Sequence, residues 1–271
     1  MIKVGKKGGQ SPCFAKVCIG FSGLLQKNHP FIPDKKFFEP EKEFLCTMNP
    51  KTIPASERMR VALCLALVGG FLETYTYRLH GGVFANAQTG NLVLFALSIL
   101  QDNQKALHYL IPIISFVAGV FLSEAICDHL KQSNQIRWLS GLVLGEAVLL
   151  AILPFLPAAT SDTVIIILVS FVCALQFNGF QRTHGFAAST VVCTANLRSF
   201  TQHLYHALIK KEKERLKIAL KYLSIIGFFV AGAVISYWLI DLWGEASIFV
   251  CSGILVGVHF LLLWHHQGQA D

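Results

Sequence analysis

Charged residues are scarce in this chain: Asp, Glu, Lys and Arg make up 14% of its 271 residues, against roughly a quarter in soluble globular domains. With 54% hydrophobic residues and a mean hydropathy of +0.53, that shortage argues against both a water-soluble enzyme and a disordered chain. Catalytic signatures are missing too. No G-x-S-x-G, Walker loop, H-E-x-x-H or dinucleotide-binding fingerprint occurs, so no enzyme activity and no cofactor are expected. Eight cysteines are present without a single C-x-x-C spacing, which leaves zinc or redox chemistry without its usual framework. Cys64, Cys127, Cys173, Cys193 and Cys251 fall in apolar segments and read as small buried hydrophobes. His203-x-x-His206 has ligand-like spacing but no third ligand nearby, and metal binding is not expected.

The net charge of +7 is unevenly spread. Residues 1–60 hold 11 Lys/Arg against 5 Asp/Glu, while the other 211 hold 12 against 11. A basic tail beside an apolar body reads as a flank of a membrane facing the cytoplasm. It lacks the folded basic surface that nucleic acid would need. Membrane lipid is therefore the expected surrounding. Residues 1–56 form a polar segment holding six of the nine prolines, which forbid a long helix. The apolar run Cys13–Leu25 is interrupted by Lys16 and lacks an A-x-A cleavage site, so it makes a poor signal peptide. Met48 opens a second start-like stretch, and residues 1–47 read either as an N-terminal segment or as a mis-assigned start.

Beyond the tail, apolar stretches follow in quick succession. A bilayer core of ~30 Å needs ~20 helical residues, and six stretches qualify: 59–79, 107–128, 138–158, 163–182, 218–240 and 246–265. Two others, 84–100 and 189–209, are too short or too polar and read as partly buried short helices. In the second, Leu197, Phe200, Leu204 and Leu208 form one apolar stripe.

The sequence also repeats itself. Arg78-Leu79-His80-Gly81 recurs as Arg182-Thr183-His184-Gly185, and Thr89-Gly90-Asn91 as Thr194-Ala195-Asn196. Phe116-Val117-Ala118-Gly119 recurs as Phe229-Val230-Ala231-Gly232, and the pair Gly141/Gly145 as Gly253/Gly257. Each repeat, 57–160 and 161–266, holds a long span, a short helix and two long spans. The fold expected is an all-α polytopic membrane protein of six full spans and two short, re-entrant helices. Three crossings per repeat put Lys131, Arg137 and the cluster Lys210–Lys217 on the side of the basic N-terminus, and Asp162, Asp241 and Glu245 opposite. That arrangement obeys the positive-inside rule and inverts the second repeat. Gly141/Gly145 and Gly253/Gly257 read as helix-packing faces.

Inverted repeats place binding sites where interrupted helices meet near the midplane. Both short helices begin at the Thr-x-Asn motif, so Thr89, Gly90, Asn91, Thr194 and Asn196 are candidate contacts for a small polar or anionic solute. The competing reading is that the two Asn side chains cap helices or lock the halves together. Asn91 and Asn196 are expected to converge across the repeat axis. Glu73, Glu124 and Glu146 are acids inside spans, where a carboxylate needs a cavity or a partner. Glu73 aligns with Asn178, close to Gln176, and these three join the candidate site, Glu73 as the proton-coupling group. Glu124 reads as interfacial, Arg78 and Arg182 as snorkelling span ends, and Arg198 as a cytoplasmic anchor.

Gly69-Gly70-Phe71-Leu72-Glu73-Thr74, Phe84-Ala85-Asn86-Ala87-Gln88-Thr89-Gly90-Asn91 and Leu175-Gln176-Phe177-Asn178 together resemble the YoaK-type family of bacterial multi-pass membrane proteins, over roughly residues 58–266. The family usually has Asp-Ala at Glu73-Thr74 and a second Thr-Gly at Thr194-Ala195. It has no established activity, so the resemblance implies a bacterial inner-membrane location without a substrate. The function expected is a secondary transporter for a small polar or anionic solute, coupled to protons. Its rival is a non-transporting inner-membrane protein that binds a partner or lipid. Nothing in the sequence reports oligomeric state.

Overall fold

Inside a bilayer no water is present to satisfy backbone N–H and C=O groups, so apolar stretches of this length must close their hydrogen bonds within helices. The computed structural model, which describes residues 55–129, 135–157, 162–181 and 193–267, holds eight α-helices and no strand among them. They are α1 (Ala55–Leu79), α2 (Gln88–Ser98), α3 (Asn103–His129), α4 (Gln135–Ile152), α5 (Asp162–Gln181), α6 (Cys193–Ile209), α7 (Lys213–Trp243) and α8 (Phe249–Gln267). Met48 and the rest of the tail, Lys131, and the Arg182–Gly185 copy of the repeated motif lie outside the described residues.

Five segments are long and apolar enough to cross a membrane: Met59–Leu79, Asn103–His129, Ile136–Phe155, Asp162–Phe180 and Lys213–Trp264. The last runs 52 residues, or roughly 78 Å as one helix, against a core of ~30 Å. It is broken at Gly244, whose φ of 55° opens a short 3-10 turn over Gly244–Ile248. A positive φ is strained for any side-chain-bearing residue, so glycine sets the break there. Neither α2, at 11 residues, nor α6, at 17, is among the five.

Helix α1 lies at the centre, with Leu65, Phe71, Leu72 and Tyr75 almost fully buried against Val143, Leu150, Val169 and Leu255. The main helix pairs are α1 with α7, α3 with α5, α4 with α8, α2 with α3 and α6 with α7; α1 also touches α8, and α4 touches α5. Exchanging α1–α4 for α5–α8 maps this set onto itself. The closest approaches follow the same rule. Gly232 packs on the Leu67 carbonyl of α1 and Gly119 on the Phe171 carbonyl of α5, each with no room for a Cβ. Gly70 abuts the Phe229 carbonyl in the same way. In lipid, where apolar burial gives little drive between helices, such close backbone contact is what holds them. Phe121, Leu100, Trp238 and Trp264 remain highly exposed, as befits side chains facing acyl chains.

The glycine pairs read as packing faces need correction. A Cβ at Gly141, Gly145, Gly253 or Gly257 would meet nothing within 4 Å. Helices α4 and α8 do pack together, but through other faces: Ser140, Val143 and Leu150 are buried on α4, and Cys251, Leu255 and Val258 on α8. Ser140 Oγ lies 2.8 Å from His259 Nδ1 across that contact. A small-xxx-small spacing marks a smooth helix face but does not say what covers it.

Candidate functional site

Two glycines turn the chain back at the end of α1. Gly81 and Gly82 both have φ of 74°, and the His108 ring meets the Gly81 carbonyl at 3.1 Å. The returning segment buries Val83, Ala85 and Asn86 before α2 begins. It thereby brings backbone N–H groups up against a side chain of α1.

That side chain is Glu73. Its Oε1 accepts a hydrogen bond from the Asn86 N–H at 3.1 Å, next to the start of α2. Its other oxygen, Oε2, is buried with no hydrogen-bond partner, as is Asn86 Oδ1. Elsewhere in the core Glu146 of α4 accepts a hydrogen bond from Gln176 Nε2 at 2.7 Å, and its Oε1 is likewise left over. Helix α5 passes within electrostatic reach of each acid. Cys173, within hydrogen-bonding reach of the Asn86 side chain and within electrostatic reach of both carboxylates, stands three residues before Gln176. Residues three apart share a helix face. Glu73, Glu146, Gln176 and Asn86 are all at least nine-tenths buried, and neither carboxylate has an ion-pair partner among the described residues. Cys193, the first residue of α6, is within electrostatic reach of Glu73.

The other residues singled out from the sequence are distributed as follows. Asn91 is fully buried but engaged locally: its Nδ2 donates to the Phe84 carbonyl at 2.8 Å and to Gln88 Oε1 at 2.9 Å, and its Oδ1 accepts from the Phe84 N–H at 2.9 Å. It clamps the segment that carries Asn86, whereas the helix cap itself is Ala87, which has no side-chain bond to give. The space that Gly90 leaves free is filled by the Phe84 ring. Asn196 is buried in the first turn of α6, while Thr89 and Thr194 are exposed in both halves. Asn178 turns away from Gln176 and donates to Glu124 Oε1 of α3 at 2.9 Å, so Glu124 has a partner inside the fold. The alignment of Glu73 with Asn178 also shifts. Leu67 and Phe171 occupy equivalent places beneath Gly232 and Gly119, and that register sets Glu73 against Phe177. One residue is ~100° around a helix, enough to change which neighbour a side chain meets.

A second polar group lies at the end of α1. Arg78 Nη1 pairs with Asp241 Oδ1 at 2.9 Å, donates to the Tyr237 carbonyl at 3.1 Å, and sits 4.3 Å from the Tyr237 ring centroid. The snorkelling reading therefore gives way to a paired guanidinium. His80 is almost fully buried with Nδ1 3.1 Å from Asp162 Oδ1; its Nε2 lies 3.4 Å from Glu245 Oε2, close enough for charge attraction without hydrogen-bond alignment. Tyr75 donates to the same Glu245 oxygen. Burial alone would push the imidazole down, but the facing carboxylates of Glu245 and Asp162 outweigh this and hold it above the usual 6.5. At the other end of the molecule His206 faces Glu212 at 3.6 Å, and His203 stacks on Tyr222.

Glu146, Asn86 and Cys173 were not among the candidate site residues. Glu146 had a readable signal, since an acid inside a span is a site hypothesis in its own right. Cys173 had none, because its chemistry comes from neighbours on other helices.

Comparison with known proteins agrees with this architecture as far as it goes. Residues 61–261 match a family described as "Protein of unknown function (DUF1275)". The UPF0700 transmembrane protein YoaK of Bacillus subtilis (strain 168) is 27% identical over 188 residues, covering 67% of this chain and 83% of that protein. No solved structure matches.

Proposed function

We propose that this chain, which belongs to the DUF1275 family of membrane proteins of unknown function, is a proton-coupled secondary transporter for a small polar or anionic solute. The observation that carries the proposal is the Glu73 carboxylate, buried in an apolar helix against the N–H of the segment that opens α2. A charge at that depth costs roughly 2–4 kcal/mol unless a partner or proton offsets it. An anionic solute could sit beside Glu73 and Glu146 only while they are protonated, since like charges at close range repel strongly in a low dielectric. Solute and proton would then move together, and that linkage is the coupling. Gln176 and Asn196 supply the solute contacts in this reading. Asn91 fixes the loop that carries Asn86, and Thr89, Gly90, Thr194 and Asn178 shape the two short-helix starts. The chain acts as a carrier, not an enzyme.

The topology that accompanies this reading counts α7 and α8 as separate spans, giving six crossings in two halves of opposite orientation. The exchange pattern of helix contacts supports the repeat, and the loop charges support its inversion. The N-terminus lies in the cytoplasm, with the protein in a bacterial inner membrane. Cysteine labelling on a Cys-free background is expected to reach position 243 from outside and position 213 only from inside; external labelling at 213 would overturn it.

The rival, a non-transporting protein that docks a helical partner or lipid, draws on the uncovered glycines of α4 and α8. Purified protein in liposomes separates the two. A panel of polar and anionic solutes should include one that accumulates under an inward proton gradient and stops when a protonophore collapses it. Gradient-independent traces for every solute, with the protein shown to be folded and inserted, would favour the rival.

A further inference from the structure

We propose that the elbow between α6 and α7 binds the phosphate headgroup of an anionic phospholipid in the cytoplasmic leaflet. The elbow forms an open cleft of about 510 Å³, walled by Thr201, Gln202, His203, Tyr205 and His206 of α6 and by Arg215 of α7. Arg215 brings the charge. Its Nε donates to Glu212 Oε2 at 3.2 Å, and its Nη1 lies 3.4 Å from His203 Nδ1. A guanidinium can only donate, so His203 accepts at Nδ1 and keeps its proton on Nε2. The His203 ring is steadied by its stack on Tyr222. Thr201 gives its hydroxyl proton to the Leu197 carbonyl at 2.9 Å, which leaves the Gln202 amide beside Arg215 as a donor for an incoming anion. Among the described residues no carboxylate lines the cleft.

Positive charge and lipid exposure meet at this elbow. Residues 210–217 hold Lys210, Lys211, Lys213, Arg215 and Lys217 against Glu212 and Glu214. Arg215 engages Glu212 and Lys217 engages Glu214. Lys210, Lys211 and Lys213 are exposed with no ion-pair partner among the described residues. Leu208, Ile209, Leu216 and Leu220 are exposed alongside them, so the cations stand where the helix surface passes from acyl chains to water. A Lys/Arg cluster at that level, next to a pocket between helices, suits an anionic headgroup. A free phosphate would draw nothing from the apolar rim. The positive-inside rule accounts for the sign of the cluster but not for a donor-lined cleft beside it.

The choice of leaflet rests on the six-crossing topology, while the site itself stands whether or not the chain carries a solute. Full-length protein, stripped of lipid in detergent, is titrated with phosphatidylglycerol or phosphatidylcholine in mixed micelles. Native mass spectrometry counts the bound lipid, and thermal unfolding follows stability. Phosphatidylglycerol is expected to bind saturably and raise the melting temperature, and phosphatidylcholine to do neither. Arg215→Gln should weaken that binding at least about fivefold. Gln202→Ala, which leaves the charge unchanged, should weaken it about threefold. Lys217→Gln removes the same charge outside the cleft and should cost less than Arg215→Gln. Equal losses for Arg215→Gln and Lys217→Gln, with none for Gln202→Ala, would reduce the elbow to a diffuse basic surface and overturn the site. Inorganic phosphate or glycerol phosphate matching the stabilisation given by the lipid would overturn the lipid as occupant. Should Arg215→Gln fail to fold, Arg215→Lys keeps the charge but loses the planar fork, and must weaken binding in its place.

Discussion

Near the end of α1, Arg78, His80 and Tyr75 meet Asp241, Asp162 and Glu245, while one turn further into the helix Glu73 meets no opposite charge at all. In the first region each acid has a cationic or hydroxyl partner, and Asp162, Asp241 and Glu245 are about half exposed. In the second, the carboxylates are buried and each keeps an oxygen without a partner. Evolution has no stability reason to keep a half-satisfied acid in a low dielectric, because replacing it by an apolar or amide group is neutral or favourable. Fully paired charges at helix ends, by contrast, fasten α1 to α5 and α7. The difference separates a latch from a site, although both consist of the same few residue types.

The largest expected effect would break the comparison outright if it failed. Glu73→Gln keeps the shape and the acceptor for the Asn86 N–H but can no longer carry a charge or exchange a proton. Proton-driven uptake in liposomes is expected to disappear, while the melting temperature in detergent stays level or rises. A variant that transports normally, or that unfolds, would move Glu73 into the class of the helix-end latch.

How much of this was legible follows from which signals are local. The six long helices stood out because each is a run of ~20 apolar residues, α2 because its apolar run is too short, and α6 because Arg198, His203 and His206 interrupt it. Glu73 was visible as a charge where charge is costly. What escaped was everything set by the relative rotation of helices. The Arg78-to-Arg182 match carries the offset that pairs Glu73 with Phe177 and the Thr89-to-Thr194 match the one that pairs it with Asn178, and only the packed bundle chooses between them. Gln176 and Asn178 looked like one motif, but two residues on a helix point ~200° apart, and they reach Glu146 and Glu124 on opposite sides. Gly141 and Gly253 share their spacing with buried glycine pairs, and only the packed bundle shows them uncovered.

Asn91 sharpens the comparison because it is buried like Glu73 yet satisfied like Arg78. Its three hydrogen bonds return to Phe84 and Gln88. Asn91→Ala would strand the Phe84 N–H and C=O, each at about 1–3 kcal/mol if no water replaces the bond. The expected result is a clear drop in melting temperature with the apparent solute affinity of the folded fraction unchanged. Lost affinity at undiminished stability would make Asn91 a solute contact and weaken the division drawn here.

The smallest effect concerns the latch and its dependence on pH. His80 is held above the usual 6.5 by Glu245 and Asp162 against the opposing pull of burial, so the folded protein binds its proton more tightly than the unfolded chain does. Stability from this source is fully present below about pH 6.5 and is lost as pH rises through the elevated value. Because Asp162 and Glu245 are about half exposed, water and salt screen the attraction, and the slope should amount to less than about 1 kcal/mol. Melting temperatures measured between about pH 5 and 9 should therefore receive from this source a gentle fall with rising pH. In His80→Gln the fall should be shallower than in the wild type, and the same difference should be found in a Glu73→Gln background. A slope left unchanged by the loss of His80 would mean that the imidazole is neutral in its pocket and that Arg78 with Tyr75 alone fastens the end of α1.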